Sequence, residues 1–197
     1  MIYEERLKEI KNYLKNYPFF EFIGKGKRGE VYKINENLVI KIQRDDSQSI
    51  DSIKNEFEIL KKLEKYDYFP KTVEYNENLK FVIREYVKGK TIDNTLDKKL
   101  FIKALHLARV LDLEKINQQE LNNPYKHIYF YKNKIMMIDF ERARITTNPK
   151  NVTQFVQYLC SKFNINYKKI IDLMKKYKKD NSENNFKNII KILKELM

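Results

Sequence analysis

The chain has 197 residues, 42% of them hydrophobic, enough to bury a core as one compact domain or two small lobes. It offers no run of about 18 apolar residues for a membrane span, and its first residues lack the apolar stretch of a secretory signal; no membrane partner is expected, and the cytoplasm is the expected compartment. The single Cys160 excludes an internal disulfide or a multi-cysteine metal site, and with only 2 histidines a zinc site is not expected. Lys+Arg 40 against Asp+Glu 27 gives a net charge of +13, which favours an anionic partner such as RNA, ribosome or nucleotide. The lysines are nevertheless spread along the chain beside Asn, Ile and Tyr, a pattern that also fits AT-biased coding or a hot-environment surface.

Ile2, Leu7, Ile10 and Leu14 fall at helical spacing and predict an amphipathic helix over 2–16, packed on the next lobe and ended by Pro18. Strands are predicted at 19–24, 30–35 and 38–43 from alternation and β-branching. Three of the chain's 4 glycines, Gly24, Gly26 and Gly29, lie at the junction of the first two, in the pattern G-x-G-x-x-G-x-V completed by Val31. Glycine lets a backbone turn tightly and come close to a ligand. In a dinucleotide fold these glycines would close a strand and open a helix. Here Val31 to Ile34, a polar Asn35-Glu36-Asn37 turn and Leu38 to Ile42 read as a hairpin instead. A glycine loop between antiparallel strands, followed by an apolar strand ending in Lys41, is an arrangement that covers nucleotide phosphates.

Asp45 to Ser49 form a polar loop able to supply an N-cap, and Ile50, Ile53, Phe57, Leu60 and Leu63 predict a helix over 49–65. On it Glu56 is placed to pair with Lys41 and hold the ammonium toward phosphate oxygens; Glu58 lies roughly 200° round the helix and faces away. A second hairpin is predicted from 72–76 and 79–87, turning at Asn76-Glu77-Asn78. It leads to Lys88-Gly89, which divides the chain into an N-terminal helix (1–17), a β-rich part (18–88) and a helical part (89–197). A helix comes next at 97–115, with Leu100, Ala104, Leu105, Ala108 and Leu111 on one stripe. Residues 116–126 are polar and contain Pro124, hence a loop. Strands 127–131 and 134–138 turn at Lys132-Asn133 and deliver Asp139-Phe140-Glu141, a carboxylate at a strand exit suited to Mg²⁺. Helices are predicted at 150–163, 167–179 and 183–196. Lys168, Lys169, Lys175, Lys176, Lys178 and Lys179 form a basic rim there, either a solvated face or one turned to RNA. Tyr158, Tyr167 and Tyr177 among them would either stack on bases or be buried.

Taken in order, the glycine loop, Lys41, Glu56, Glu85-Tyr86-Val87, the 116–127 loop and Asp139-Phe140-Glu141 resemble the protein-kinase-like superfamily over about 20–145. Asp-Phe-Glu in place of Asp-Phe-Gly, with a small second half, is similar to RIO-type atypical kinases and the small archaeal kinase of the KEOPS tRNA-modification complex. Glu-Leu-x-x-Pro-x-Lys-His at 120–127, Ile-Asp-Phe-Glu at 138–141 and the stretch from Asn148 to Phe155 resemble a set of small archaeal predicted serine/threonine kinases. The resemblance implies an α+β, two-lobed fold: a β-sheet N-lobe with one long helix and a reduced, mostly helical C-lobe. It also implies ATP and Mg²⁺ as cofactors, with phosphoryl transfer or ATP hydrolysis. Gly24, Gly26, Gly29 and Val31 would cover the phosphates, Lys41 would meet the α/β-phosphates with Glu56 behind it, Glu85 and Val87 would form the adenine hinge, and Asp139 would bind Mg²⁺.

The departures from that pattern shape the functional reading. Gln118-Gln119-Glu120 stands where the family has His-Arg-Asp, which leaves Glu120, one methylene longer, in the catalytic seat. The metal-binding Asn falls on Tyr125 or, with a short insertion, on Lys126 or His127, with Asn122 and Asn123 nearby. A protonated lysine does not bind Mg²⁺; the resemblance implies His127 as the metal candidate, with a satisfied strand residue as the equal alternative. Nothing resembling Ala-Pro-Glu comes after Asp139, and regulation by activation-loop phosphorylation is not expected. Arg84 stands just before the hinge, where an apolar residue usually lines the adenine pocket. These features leave three function classes. One is an atypical serine/threonine kinase or RIO-like ATPase. The second is a pseudokinase, a nucleotide-binding scaffold associated with RNA or ribosome, which the Gln-Gln-Glu loop favours. The third is a small-molecule phosphotransferase of the antibiotic or choline kinase type, which the lack of a large acceptor-pocket insert disfavours. The phosphoryl acceptor and the protein partner stay open.

Overall fold

The N-terminal stripe folds as helix α1 (Glu4–Tyr13), with Glu4 and Glu5 in its first turn and Lys11 in its last, the polarity a helix dipole favours. The computed structural model describes residues 2–47 and 51–197. They divide into two units: Met1–Lys88 together with Ile138–Arg142, and Gly89–Met137 together with Ala143–Met197. In the first unit, β1 (Glu21–Lys25), β2 (Gly29–Lys33), β3 (Leu38–Gln43), β4 (Thr72–Asn76) and β5 (Phe81–Glu85) form one antiparallel sheet in the order β1-β2-β3-β5-β4. Helix α2 (Ser52–Lys62) packs on β3, β4 and β5.

The period of two in β3 and β5 gives the sheet two different faces. Ile40, Ile42, Phe81 and Ile83 join Ile2, Ile10 and Leu14 of the N-terminal segment in one core, together with Tyr32 and Ile34. Val39, Lys41, Val82 and Arg84 alternate with them, and all four are buried. Each fully buried isoleucine contributes roughly 1.5–3 kcal/mol, so α1 shares a core with the sheet and is no detached lead-in.

The helix expected from 49 begins at Ser52, with Asp51 at its cap in the left-handed region (φ 60) and no side-chain capping bond. Ser49 and Ile50, which the sequence offered as cap and first stripe residue, lie outside the described residues. Ile53, Glu56, Leu60 and Leu63 line the buried stripe, and Glu58 is exposed, as the helical angle requires. The hairpin expected at Asn76-Glu77-Asn78 turns there: Leu79 N–H donates to Asn76 Oδ1 (2.9 Å), and Lys80 takes φ 50.

The second unit begins with β6 (Lys90–Thr91), which pairs with β8 (Ile128–Tyr131); β9 (Lys134–Met137) completes that sheet. Helix α3 (Lys98–Leu113) is capped by Asp97, whose carboxylate accepts Lys99 N–H at 2.9 Å. It packs on α4 (Asn151–Lys162), and α5 (Ile171–Lys179) packs on α6 (Glu183–Leu196). The stretch expected to be all loop contains β7 (Ile116–Asn117), paired with β10 (Arg144–Ile145). Two-residue ladders carry no alternation signal, so the sequence hides them. The helix expected at 167–179 is broken, because Ile170 (φ −123) separates a 3₁₀ turn at Tyr167–Lys169 from α5. Gly89 sits at φ 120, and a Cβ there would stand 2.2 Å from the Phe130 carbonyl oxygen, so only glycine fits.

Candidate active site

In the first unit the glycine hairpin is closed by Gly26 N–H donating to the Gly29 carbonyl (2.8 Å), and Ile23 is skipped by the β1–β2 register. The three glycines are not equivalent. A Cβ on Gly24 would meet nothing within 4 Å and one on Gly26 would make ordinary contact, but one on Gly29 would stand 3.1 Å from Ile42 O and 3.4 Å from both Lys41 Cε and Glu141 Oε1. Arg44, which sequence reasoning passed over, holds the hairpin: its Nη1 donates to Gly26 O (2.9 Å) and its N–H to Arg28 O (2.8 Å). Val31 lies opposite Lys41 in the β2–β3 register.

Lys41 projects from the α2-facing side of β3. Its Nζ lies 2.6 Å from Glu56 Oε2, 2.7 Å from Glu141 Oε1 and 3.2 Å from Asp139 Oδ1. Glu56 is fully buried, and its other oxygen takes Arg84 Nε at 3.2 Å. Arg84 thus turns under the sheet to clamp Glu56, and its Nη1 donates to Glu85 O (3.1 Å). The signal for it was a lone cation closing the buried run Phe81 to Arg84. Burial alone would pull the Lys41 ammonium down; Asp139, then Glu56 and Glu141, outweigh burial and the opposing Arg84 and hold it above its ordinary value. Burial pushes the Glu141 carboxyl up, opposed by Lys41 and reinforced by Asp139 and Glu56. The Lys41 direction comes from one ammonium facing three acids, the Glu141 direction first from burial.

The backbone delivering these acids is fixed. Asp139 adopts φ 70, Asn55 Nδ2 donates to Phe140 O (3.1 Å) and Glu141 O (3.2 Å), and Phe140 is buried edge-on against Phe69. Glu56, Asp139 and Glu141 each offer a carboxylate oxygen, all within 4.8 Å of one another, and hard oxygen donors of this kind suit Mg²⁺. Asp139 is the member that reaches solvent, with its side chain 37% exposed. At the expected hinge, Glu85 pairs with Leu38 across the sheet and its carboxylate accepts Lys71 N–H (3.0 Å). Tyr86 N–H donates to Asn37 O (2.7 Å), and Val87 is buried.

The remaining candidates lie in the second unit. Glu120 Oε2 is 3.2 Å from His127 Nε2, so these two expected site residues meet each other. Their loop is tied down from within. Gln119 takes φ 77, the Gln118 side chain accepts Glu120 N–H (2.9 Å), and Gln118 N–H donates to Asn151 Oδ1 (2.9 Å). Asn151 Nδ2 donates to Ile116 O (2.6 Å) and to Asp112 Oδ1 (2.8 Å). Asp112 further accepts the N–H groups of Asn151 (3.0 Å) and Val152 (3.2 Å) and the Tyr177 hydroxyl (3.1 Å). Burial raises the Asp112 carboxyl despite these donors. Tyr177 is therefore a core residue and unavailable for stacking on a base. Asn122 and Asn123 are exposed.

No protein-family model and no curated protein matches the chain. Solved structures do. Rio2 kinase from Chaetomium thermophilum matches at TM-score 0.55 and 13% identity, over 77% of this chain and 57% of that one. The Cydia pomonella granulovirus kinase PK-1 matches at 0.52 and 16%, over 73% and 60%. The streptomycin–ATP–APH(2")-IIa ternary complex matches at 0.50 and 15%, over 99% and 97%. The chain spans less than two thirds of the length of the Rio2 and PK-1 chains. The fold is α+β and protein-kinase-like, the class the glycine hairpin, Lys41 and Glu56 had pointed to.

Proposed function

We propose that the chain binds Mg-ATP in its first unit and is a phosphotransferase, with an atypical serine/threonine kinase or RIO-like ATPase as the finer reading. The observation that carries it is the Lys41 ammonium, buried under the glycine hairpin and oriented by Glu56 at 2.6 Å. A cation fixed in this way is preorganised for phosphate oxygens. Gly24, Gly26, Gly29 and Val31 bring the hairpin backbone over the phosphates, and the segment from Glu85 to Val87, at the exit of β5, offers backbone groups to the base. Asp139 would hold Mg²⁺, which supplies charge neutralisation on the transferring phosphoryl group. Glu120 orients the attacking hydroxyl or water. A nucleotide-binding module without transfer is the second reading, favoured by the Glu120–His127 pair, which engages the carboxylate that transfer requires. The APH(2")-IIa complex holds streptomycin beside ATP, which keeps a small hydroxylated molecule among the acceptors to be tried.

The test is calorimetry with Mg-ATP on the wild type, Lys41→Ala and Asp139→Ala, each first checked for cooperative melting, with ATP turnover followed in the same samples. Binding that both substitutions weaken, and turnover that Glu120→Gln abolishes, is the expected result. Binding without turnover selects the second reading; no binding by a folded wild type rejects both. Radiolabelled phosphate appearing in protein or in a small hydroxylated acceptor then identifies the acceptor class.

A further inference from the structure

Lys41 has more acid around it than is needed to orient it. Glu56 already holds the ammonium from α2 and is itself held by Arg84. Asp139 adds a second carboxylate and Glu141 a third, so two cations face three anions and the cluster carries a net charge of minus one. Glu141 is the acid with the most telling position. Its Oε1 lies 2.7 Å from Lys41 Nζ and 3.4 Å from the point where a Cβ on Gly29 would stand. The carboxylate therefore fills the space beside the ammonium and beneath the glycine hairpin, where the proposed function seats a phosphate. Asn55 holds the backbone carbonyls of Phe140 and Glu141. A displaced Glu141 would thus move by its side chain, with the backbone staying in place.

We propose that Glu141 is a specificity-determining residue: it occupies the phosphate seat on Lys41 and makes the site discriminate against uncomplexed nucleoside triphosphate. This rests on the nucleotide reading. A bare triphosphate brings several negative charges to a cluster that is already net negative, and must displace a carboxylate from a buried ammonium to reach it. A triphosphate carrying a divalent cation brings less charge and meets less opposition. Glu56 and Asp139 suffice to keep Lys41 paired, so Glu141 can be removed without stranding the cation.

Calorimetry with ATP in a chelating buffer and with ATP plus Mg²⁺ tests this on the wild type, Glu141→Gln and Glu141→Gly, with melting curves to confirm folding; either variant alone suffices if the other fails to fold. The expected result is metal-free ATP binding tightened at least about 10-fold in the variants, so that the gap between affinity with and without Mg²⁺ narrows. Unchanged metal-free affinity, in a protein whose wild type binds Mg-ATP, would overturn the inference and leave the nucleotide reading standing. So would loss of Mg-ATP binding without gain in chelator, which would make Glu141 a cation ligand only. Wild type and variants that bind ATP in neither buffer would remove the nucleotide reading and this inference together.

Discussion

At the scale of single residues, Lys41 and Asp112 show two ways a buried charge is accommodated, and each makes a prediction. Lys41 is a cation among carboxylates, and Lys41→Met leaves Glu56 buried with only Arg84 for partner while Asp139 and Glu141 repel it. Removing one partner of a buried ion pair typically costs about 3–5 kcal/mol, and chemical denaturation is expected to show a loss of that order. The Lys41 ammonium is raised in the folded state, so its contribution is fully present below the ordinary lysine value of 10.5 and is lost only as pH rises through the higher folded value. The titration of Lys41 itself therefore takes nothing from that loss below about pH 9. Asp112 is an anion with no ion-pair partner among the described residues, raised by burial and held by Asn151, Val152 and Tyr177. Between 3.8 and its folded value the native state binds the proton more readily than the unfolded chain, so this group's contribution falls as pH rises through that window. Stability of the wild type relative to Asp112→Asn is expected to decline from acid toward neutral pH, and a carbon-detected titration should place the Asp112 midpoint above that of a free side chain.

At the scale of elements, the glycine hairpin separates turn chemistry from close packing. Gly24→Ala points into open space and is expected to leave the melting temperature unchanged. Gly29→Ala presses on the Ile42 carbonyl at 3.1 Å and on Lys41 and Glu141, and overpacking of this kind costs roughly 1–3 kcal/mol. If the hairpin covers a nucleotide, affinity falls with Gly29→Ala as well. The long elements were legible because their periodicity is long: Ile10 and Leu14 in the N-terminal segment, and the stripe Leu100, Ala104, Leu105, Ala108 and Leu111 in α3, are buried as the pattern assigned them. So was the pairing of Lys41 with Glu56, since a strand ending in lysine before an amphipathic helix leaves few carboxylates within reach. What escaped was set by tertiary contact. Arg84 reads as a misfit in an apolar strand until its clamp on Glu56 is seen, Glu141 as an ordinary acid after Phe140, and Asn151 as a helix start instead of the hub that fixes Gln118. Such bonds join residues from 28 positions apart, for Arg84 with Glu56, to 100, for Lys41 with Glu141, and no local pattern announces them.

At the scale of the whole molecule, a charge of +13 is carried largely by exposed lysines such as Lys168, Lys169, Lys175, Lys176, Lys178 and Lys179. Retention on a polyanionic matrix at low salt and release as salt screens the surface is expected, and elution position against ionic strength measures it. A specific RNA contact would instead leave a residue of binding at salt where the matrix has let go. Among the described residues no helix is long and apolar enough to cross a membrane. The first unit is also discontinuous: it ends at Lys88 and recruits Ile138–Arg142 from almost fifty residues further on. Those five residues bring Phe140 to Phe69 and two carboxylates to Lys41. A chain of only the first 88 residues would lack the Phe140 ring that packs on Phe69 and two of the three carboxylates around Lys41. The unit becomes whole only after a stretch belonging to its neighbour has been synthesised, so its last step of folding is timed by translation of the other half.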